Sequence, residues 1–349
     1  SSIFARGYEV GNVLTNGLSV PYSSKHGTSP NLAMYDRLEV LRGPAGLFGG
    51  AGDPSATINL VRKQAKDEFT GSGSVGYGSW NHYSAQGDVS TPLNEDGSVR
   101  ARGVLSADYR DSFMDVVENN NELGYATVDA DVSDDTFVSL GVSHEHKDIV
   151  PNNGLPTDSA GNLLDLPVST FSGASWNTFE NTMDDVYLDL DHTFNSRTEA
   201  HFGARYSKRN MNYKYAGTRG GYNAANNTAT YFAYGDAYDE QAFSADAYVN
   251  RHFDFLGYEQ TLTGGLDYRF TDADEKAFSS NLGTYSLSSP IIPEPNVAYS
   301  SDTSTTSSQT GAYTKLKLQT FDDVTFSFGA RASWYNSITT NNLTGAETG

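Results

Sequence analysis

Residues 324–335 read VTFSFGARASWY, a stretch in which apolar and polar side chains alternate. Residues two apart in a β-strand lie on the same face, so this period predicts a strand with one apolar and one polar face. The same alternation recurs along the chain, in 98–110, 138–145, 186–191, 201–207, 243–249 and 262–270. The chain from residue 67 onward is therefore predicted to be all-β.

The connections between these strands separate two kinds of all-β protein. A soluble sandwich buries its apolar face in a core, whereas a membrane barrel turns that face to lipid and its polar face to a wet lumen. Tight turns alternate here with long stretches; the turns are 94–97, 134–135, 194–196, 253–258 and 321–323, and the long stretches are 112–121, 149–181, 216–239, 273–306 and 337 onward. Tight turns at one end and long loops at the other are typical of a bacterial outer-membrane barrel.

About eleven strands are expected in residues 67–349, and such barrels normally have an even number of strands. They are expected near 69–80, 82–92, 98–110, 122–133, 136–147, 182–193, 197–213, 240–252, 259–271, 308–320 and 323–336. We therefore expect a transmembrane antiparallel β-barrel of which about half is present. The first residues show no signal-peptide pattern, so the chain is expected to be a fragment.

Composition excludes several other classes of protein. The 43 acidic and 23 basic side chains give a net charge of −20, which opposes nucleic-acid binding. The absence of Cys excludes a disulfide scaffold, cysteine-ligated zinc and a Cys nucleophile. No triad or nucleophile-elbow pattern is evident, so we do not expect an enzyme.

Residues 1–66 form a segment of different character. Short β-type pieces at 36–41 and 56–61 are separated by turns rich in Gly and Pro. The turn at 43–54 contains five glycines but lacks the Lys-Ser/Thr pair of a phosphate loop. This segment is therefore predicted to be a separate, irregular domain.

Four ordered blocks of this segment resemble the plug domain of TonB-dependent outer-membrane receptors. They are Phe4–Tyr8, Asn16-Gly17, Met34–Phe48 and Gly52–Lys63. The similarity is to the ferric-siderophore receptors, in the branch for hydroxamate-type siderophores such as coprogen, ferrioxamine and pyoverdine. Asn16-Gly17-Leu18 departs from the family's usual Asp-Gly-Val/Ile-Pro run by one turn residue.

The resemblance implies a fold and a function. Residues 1–66 would be the C-terminal part of a plug, and residues 67–349 the N-terminal half of a barrel of about 22 strands. The protein would lie in the outer membrane, bind a ferric siderophore outside and import it to the periplasm. TonB would supply the energy through an N-terminal segment that this sequence lacks. No cofactor is expected, because iron arrives as the chelate.

Two plug loops are candidates for contact with the siderophore. The first offers Tyr22, Lys25 and His26, which can donate hydrogen bonds to hydroxamate oxygens. The second offers Leu47 and Phe48, of which Phe48 can pack on the apolar backbone of the chelate. For each residue, a solvated loop is the alternative interpretation.

The barrel supplies aromatic candidates. Trp176 and Phe179 lie where a long loop enters a strand, and a Tyr-rich stretch supplies Tyr213, Tyr215 and Tyr231. Rigid amphipathic rings give contact area at a low cost in entropy. Ordinary loop packing is the alternative for each Tyr.

Charged plug residues are expected to have a structural role and not to contact the ligand. The resemblance implies that Arg6, Arg37, Glu39 and Arg42 pair with groups on the barrel wall and seat the plug, because charges inside a barrel need partners. No metal site is expected: acidic and His clusters such as 144–146 and 272–275 lack a metal-loop pattern. Transport of a corrinoid or glycan, or a secreted β-sandwich hydrolase, are the alternative functions.

Overall fold

The computed structural model describes residues 3–5, 7–19, 25–26, 29–43, 46, 55–287 and 291–349. The N-terminal part forms a two-stranded ladder, from its first two strands, and a small four-stranded sheet, beside a much larger sheet. Its elements are β1 (Phe4–Ala5), β2 (Tyr8–Glu9), β3 (Asn12–Thr15), β4 (Leu18–Ser19), a 3₁₀ turn (Leu32–Met34), β5 (Tyr35–Arg42) and β6 (Ala56–Arg62). No helix in these ranges is long and apolar enough to cross a membrane.

The small sheet lies in the segment predicted to be the plug, and we call it the plug below. Its strand order is β4-β3-β6-β5, with β3 and β6 parallel and the other pairs antiparallel. The central strand β6 buries Ile58 and Leu60 against Val10. At the other side of the plug, Met34 packs into an apolar cluster with Leu123 and other residues of the large sheet. The plug therefore lies directly against the inner surface of that sheet.

The large sheet is an antiparallel meander in which each strand pairs with the next strand in sequence. Its strands are β7 (Thr70–Gly78), β8 (His82–Pro92), β9 (Val99–Asp111), β10 (Glu118–Ser133), β11 (Thr136–Ile149), β12 (Thr178–Asn195), β13 (Thr198–Thr218), β14 (Thr228–Phe255), β15 (Tyr258–Ser286), β16 (Ser301–Phe321), β17 (Val324–Asn341) and β18 (Ala346–Thr348). A strand thus lies at each of the eleven expected places, and the described residues add a short twelfth.

The long-loop end differs from the sequence prediction. β14 has 28 residues and β15 has 29, so 228–239 and 272–286 are strand, not loop. Because β14 begins at Thr228, β15 ends at Ser286 and β16 begins at Ser301, most of the long stretches predicted at 216–239 and 273–306 is strand. A membrane-spanning strand needs about 9–11 residues. These strands project beyond the apolar layer, where neither face meets lipid. Strict alternation is lost there although the backbone ladder continues.

The pairing register places the outward side chains in continuous rows. One row is apolar: Val142, Val186, Tyr206, Phe243 and Phe270. The adjacent row, two residues nearer the long loops, is polar: His144, Asp184, Lys208, Gln241 and Asp272. On β15 the apolar outward set continues down to Leu262, about 27 Å along the strand. A tilt of about 40° makes this about 20 Å of height, close to the apolar band of outer-membrane barrels.

Candidate ligand-binding site

Strand parity identifies the side chains that face the lumen. On β13, Arg205 Nη1 donates to Thr15 Oγ1 of the plug at 3.0 Å, so the odd-numbered residues of this strand face inward. Tyr213 and Tyr215 continue that face toward the long loops. On β14, Tyr234 lies directly opposite Tyr215 and shares the face.

Five aromatic rings form one surface on this lumen face, which we call the aromatic wall: Phe179, Tyr213, Tyr215, Phe232 and Tyr234. Ring centroids are 5.4 Å apart for Phe179 and Tyr213, and 4.9 Å for Tyr213 and Tyr215. Tyr215 lies 5.7 Å from Phe232 and 5.8 Å from Tyr234. The contacts are edge-on, tilted or stacked, as aromatic quadrupoles prefer. Three of the five rings carry a hydroxyl, so the surface offers both flat contact area and hydrogen bonds.

The plug meets the wall directly beside these rings. Lys25 Nζ lies 2.8 Å from Asp236 Oδ2 and also bonds Glu275 on β15. The His26 ring stacks on Tyr238 with centroids 3.9 Å apart. We call Lys25, His26, Asp236, Tyr238 and Glu275 the latch. Burial acts to lower the pKa of Lys25, but its bonds to the two carboxylates outweigh burial and raise that pKa, so the ammonium stays charged at neutral pH.

A hydrogen bond between Tyr234 and Asp236 joins the latch to the aromatic wall. The Tyr234 hydroxyl donates to Asp236 Oδ2 at 2.8 Å, the same oxygen that Lys25 binds. A ligand resting on the rings would therefore lie next to an ammonium and a row of phenols, which donate to acceptor oxygens. Phe179, Tyr213, Tyr215, Lys25 and the neighbouring His26 were expected from sequence to contact ligand, and the fold brings them together. Phe232 was missed, because a Phe in a Tyr-rich stretch carries no distinct signal.

Trp176 and Tyr231 lie elsewhere. Tyr231 is fully buried, and it lies opposite Thr218 on the face of the wall away from Tyr215. It packs with Ala216 and Ile292, and Trp176 Nε1 donates to Ile292 O at 3.1 Å. Both aromatics thus hold loops to the wall. Their contact with ligand stays a prediction, which this placement does not favour.

Other predicted contacts fall outside the described residues. These are Tyr22, Leu47 and Phe48 among the ligand candidates, and Arg6 among the residues expected to seat the plug.

The remaining charges expected to seat the plug make local contacts on and beside β5. Arg37 pairs with Asp36 at 3.5 Å and with Glu39 at 2.8 Å, and its side chain is 58% exposed. Glu39 also accepts from Asn59 Nδ2, and Arg42 is exposed. Pairing of these three with the barrel stays a prediction.

Two cations at the end of β6 contact the wall instead. Arg62 bonds Asp189 on β12, donates to Tyr125 Oη at 3.3 Å, and lies 4.2 Å from the ring centroid of Tyr187. Lys63 Nζ lies 2.8 Å from Asp88 Oδ2 on β8. These pairs fasten the plug to the wall. The sequence signal was a pair of cations ending an apolar strand.

A glycine makes room for this contact. A Cβ at Gly141 on β11 would come within 2.6 Å of Arg62 Nη1. A side chain at position 141 would therefore push the Arg62 guanidinium away from its present position beside Asp189.

Comparison with known proteins agrees with this architecture. The family described as TonB dependent receptor-like, beta-barrel matches residues 124–349. The chain is 31% identical to the ferric-pyoverdine M114 receptor of Pseudomonas sp. (strain M114) over 88% of its length. It is 32% identical to the ferripyoverdine receptor of Pseudomonas aeruginosa over 82% of its length.

A solved structure shares the fold over nearly the whole chain. The crystal structure of the outer-membrane ferripyoverdine receptor of Pseudomonas aeruginosa, bound to ferripyoverdine, covers 97% of this chain with a TM-score of 0.89 and 28% identity. The chain spans 39% and 36% of the lengths of the two curated relatives, and 47% of that structure.

Proposed function

The chain belongs to the TonB-dependent receptor-like β-barrel family, and we propose that the protein binds a ferric siderophore outside the cell and imports it to the periplasm with energy supplied through TonB. The family lies in the bacterial outer membrane, and its members are receptors and transporters. The apolar outward rows, ending at a polar row below the long loops, fit that location.

The observation that carries the proposal is the aromatic wall beside the latch. It lies on the lumen face at the long-loop end, where a ligand from outside arrives first. Tyr213 and Tyr215 offer ring faces and hydroxyls, and Lys25 offers a charged donor. Hydroxamate oxygens are acceptors, so a hydroxamate-containing chelate matches this surface. The similarity to pyoverdine receptors supports ferric pyoverdine as the first ligand to test.

The test is a binding titration with ferric pyoverdine on protein purified in detergent, followed by quenching of Trp fluorescence. Tyr213→Ala and Tyr215→Ala should each weaken binding about tenfold or more, as loss of a central aromatic contact does. Tyr206→Ala is the matched control, because Tyr206 lies on the same strand but in the outward apolar row. It should leave the affinity unchanged.

Two results would overturn the proposal. One is equal loss of affinity in the Tyr206 and Tyr213 variants, which would mean that the rings act through general stability. The other is quenching by cobalamin and none by ferric chelates, which would assign a corrinoid as the ligand.

A further inference from the structure

The latch brings three metal-ligating side chains together from two parts of the fold. His26 comes from the plug, Asp236 from β14 and Glu275 from β15. One ligand atom from each lies within 4.8 Å of the other two. His26 Nε2 is 3.8 Å from Asp236 Oδ2 and 3.6 Å from Glu275 Oε2. Neighbouring ligand atoms of a tetrahedral zinc ion are about 3.3 Å apart, given metal–ligand bonds of about 2.0–2.1 Å. The three groups therefore need to move only slightly to hold a metal.

A cation already contacts this cluster. The Lys25 ammonium binds both carboxylates, so a metal ion held by these groups would take its place. Its side chain is 47% exposed and has a path to water, whereas the Asp236 side chain is 1% exposed. Among the described residues, Asp236 Oδ1 accepts no hydrogen bond, which leaves one buried oxygen for a further contact.

Charge favours a divalent ion at this position. Two carboxylates and one ammonium sum to −1, and replacing the ammonium by a divalent cation brings the sum to zero. The ligand set of one imidazole and two carboxylates suits zinc and its neighbours in the transition series. Ca²⁺ takes 6–8 oxygen ligands and is poorly matched to it.

We propose that His26, Asp236 and Glu275 form a site for a divalent transition-metal ion such as Zn²⁺. The metal enters as Lys25 withdraws to solvent, and it fastens the plug loop at residue 26 to strands β14 and β15. The site is independent of the siderophore-binding proposal, since it needs no ligand on the aromatic wall.

The test is calorimetric titration of Zn²⁺ into detergent-purified protein without a polyhistidine tag, at neutral pH. The unmodified protein should bind one Zn²⁺, and His26→Ala should abolish that binding. Lys25→Met should tighten binding at least tenfold, because the metal no longer displaces an ammonium. A purely structural ion pair predicts no such gain.

Matched variants guard against loss of fold. His144→Ala removes a His whose Nδ1 lies 2.7 Å from Asp184 Oδ1 in an exposed pair, and it should leave Zn²⁺ binding unchanged. Glu275→Gln should weaken binding at least tenfold, and the heat-dependent shift in gel migration reports the folded barrel for each variant. Three results would each overturn the proposal: no Zn²⁺ binding by the unmodified protein, full binding by His26→Ala, or equal loss in His144→Ala.

Discussion

Replacing Arg62 by Met should weaken the attachment of the plug to the wall without unfolding the wall. The Arg62 and Asp189 side chains are 3% and 7% exposed, so this pair is buried. Met keeps an apolar stem against the Tyr187 ring but leaves the Asp189 carboxylate without its cation. Breaking a buried pair by removing one partner costs about 3–5 kcal/mol.

The structure places this variant at the lower end of that range. Asn16 Nδ2 lies 3.4 Å from Asp189 Oδ1 and can still donate to it. We therefore expect a loss of about 3 kcal/mol, which corresponds to about a 100-fold change in an opening equilibrium.

Amide hydrogen exchange measures that opening strand by strand. In Arg62→Met, amides of β6 should exchange about 100-fold faster, while amides of β13 and β14 keep their rates. The double variant Arg62→Met with Asp189→Leu should recover most of the loss, because replacing both charges by apolar groups is often neutral. Arg37→Met is the matched control, since Arg37 pairs only within its own exposed surroundings among the described residues, and it should not change β6 exchange. Faster exchange in β13 as well, or additive losses in the double variant, would refute the reasoning.

Three further predictions concern neighbouring positions. Gly141→Val would place a Cβ within 2.6 Å of Arg62 Nη1 and should destabilise the plug contact by about 1–3 kcal/mol. Gly103→Val is the control, because no atom lies within 4 Å of the added Cβ, and it should leave the contact unchanged. Amide hydrogen exchange in β6 distinguishes the two variants. Burial raises the pKa of Tyr35 from an ordinary 10 to about 12, so its contribution to stability is complete below pH 10 and is lost as pH rises toward 12. Tyr35→Phe should remove that alkaline loss, and melting curves at pH 8 and 11 check it. Trp176→Phe loses the hydrogen bond to Ile292 O and should speed proteolysis near residues 291–300 while ferric-siderophore affinity stays the same.

The fold could be predicted from the sequence in the part of each strand that has one face toward lipid, because apolar and polar side chains alternate there. Residues 324–335 lie in β17, and every predicted strand has a counterpart in the sheet. Alternation failed as an indicator of strand in the part of the sheet that projects beyond the apolar layer. In β14, residues 228–239 meet water or loops instead of lipid, so nothing selects apolar residues at every second position. The backbone ladder to β15 continues there regardless, because it does not depend on side-chain polarity.

The candidate site was predictable in residue type and only partly in position. Tyr213 and Tyr231 look equivalent in sequence, since both lie in one Tyr-rich stretch. Strand parity separates them, because Tyr213 continues the inward face of Arg205, whereas Tyr231 pairs opposite Thr218 on the other face. Parity can be counted only when the strand bounds are known. The sequence predicted a loop at 216–239, so it did not show that β14 begins at Thr228.

The plug contacts show a different limit of sequence reasoning. Cations of the plug were expected to pair with carboxylates of the wall. The structure contains such pairs, but the cations that form them are Arg62 and Lys63. Arg62 and its partner Asp189 are 127 residues apart, so no local pattern links them. What selects them is the position of β6 at the centre of the plug sheet. A strand buried on both sides has no water beside it, so its charges collect at its end, where the chain leaves the plug and crosses to the wall. The charges of β5 lie along an exposed surface and find partners on or beside their own strand. An apolar central strand that ends in adjacent cations is thus a better sequence indicator of a plug contact than charges that alternate along a strand.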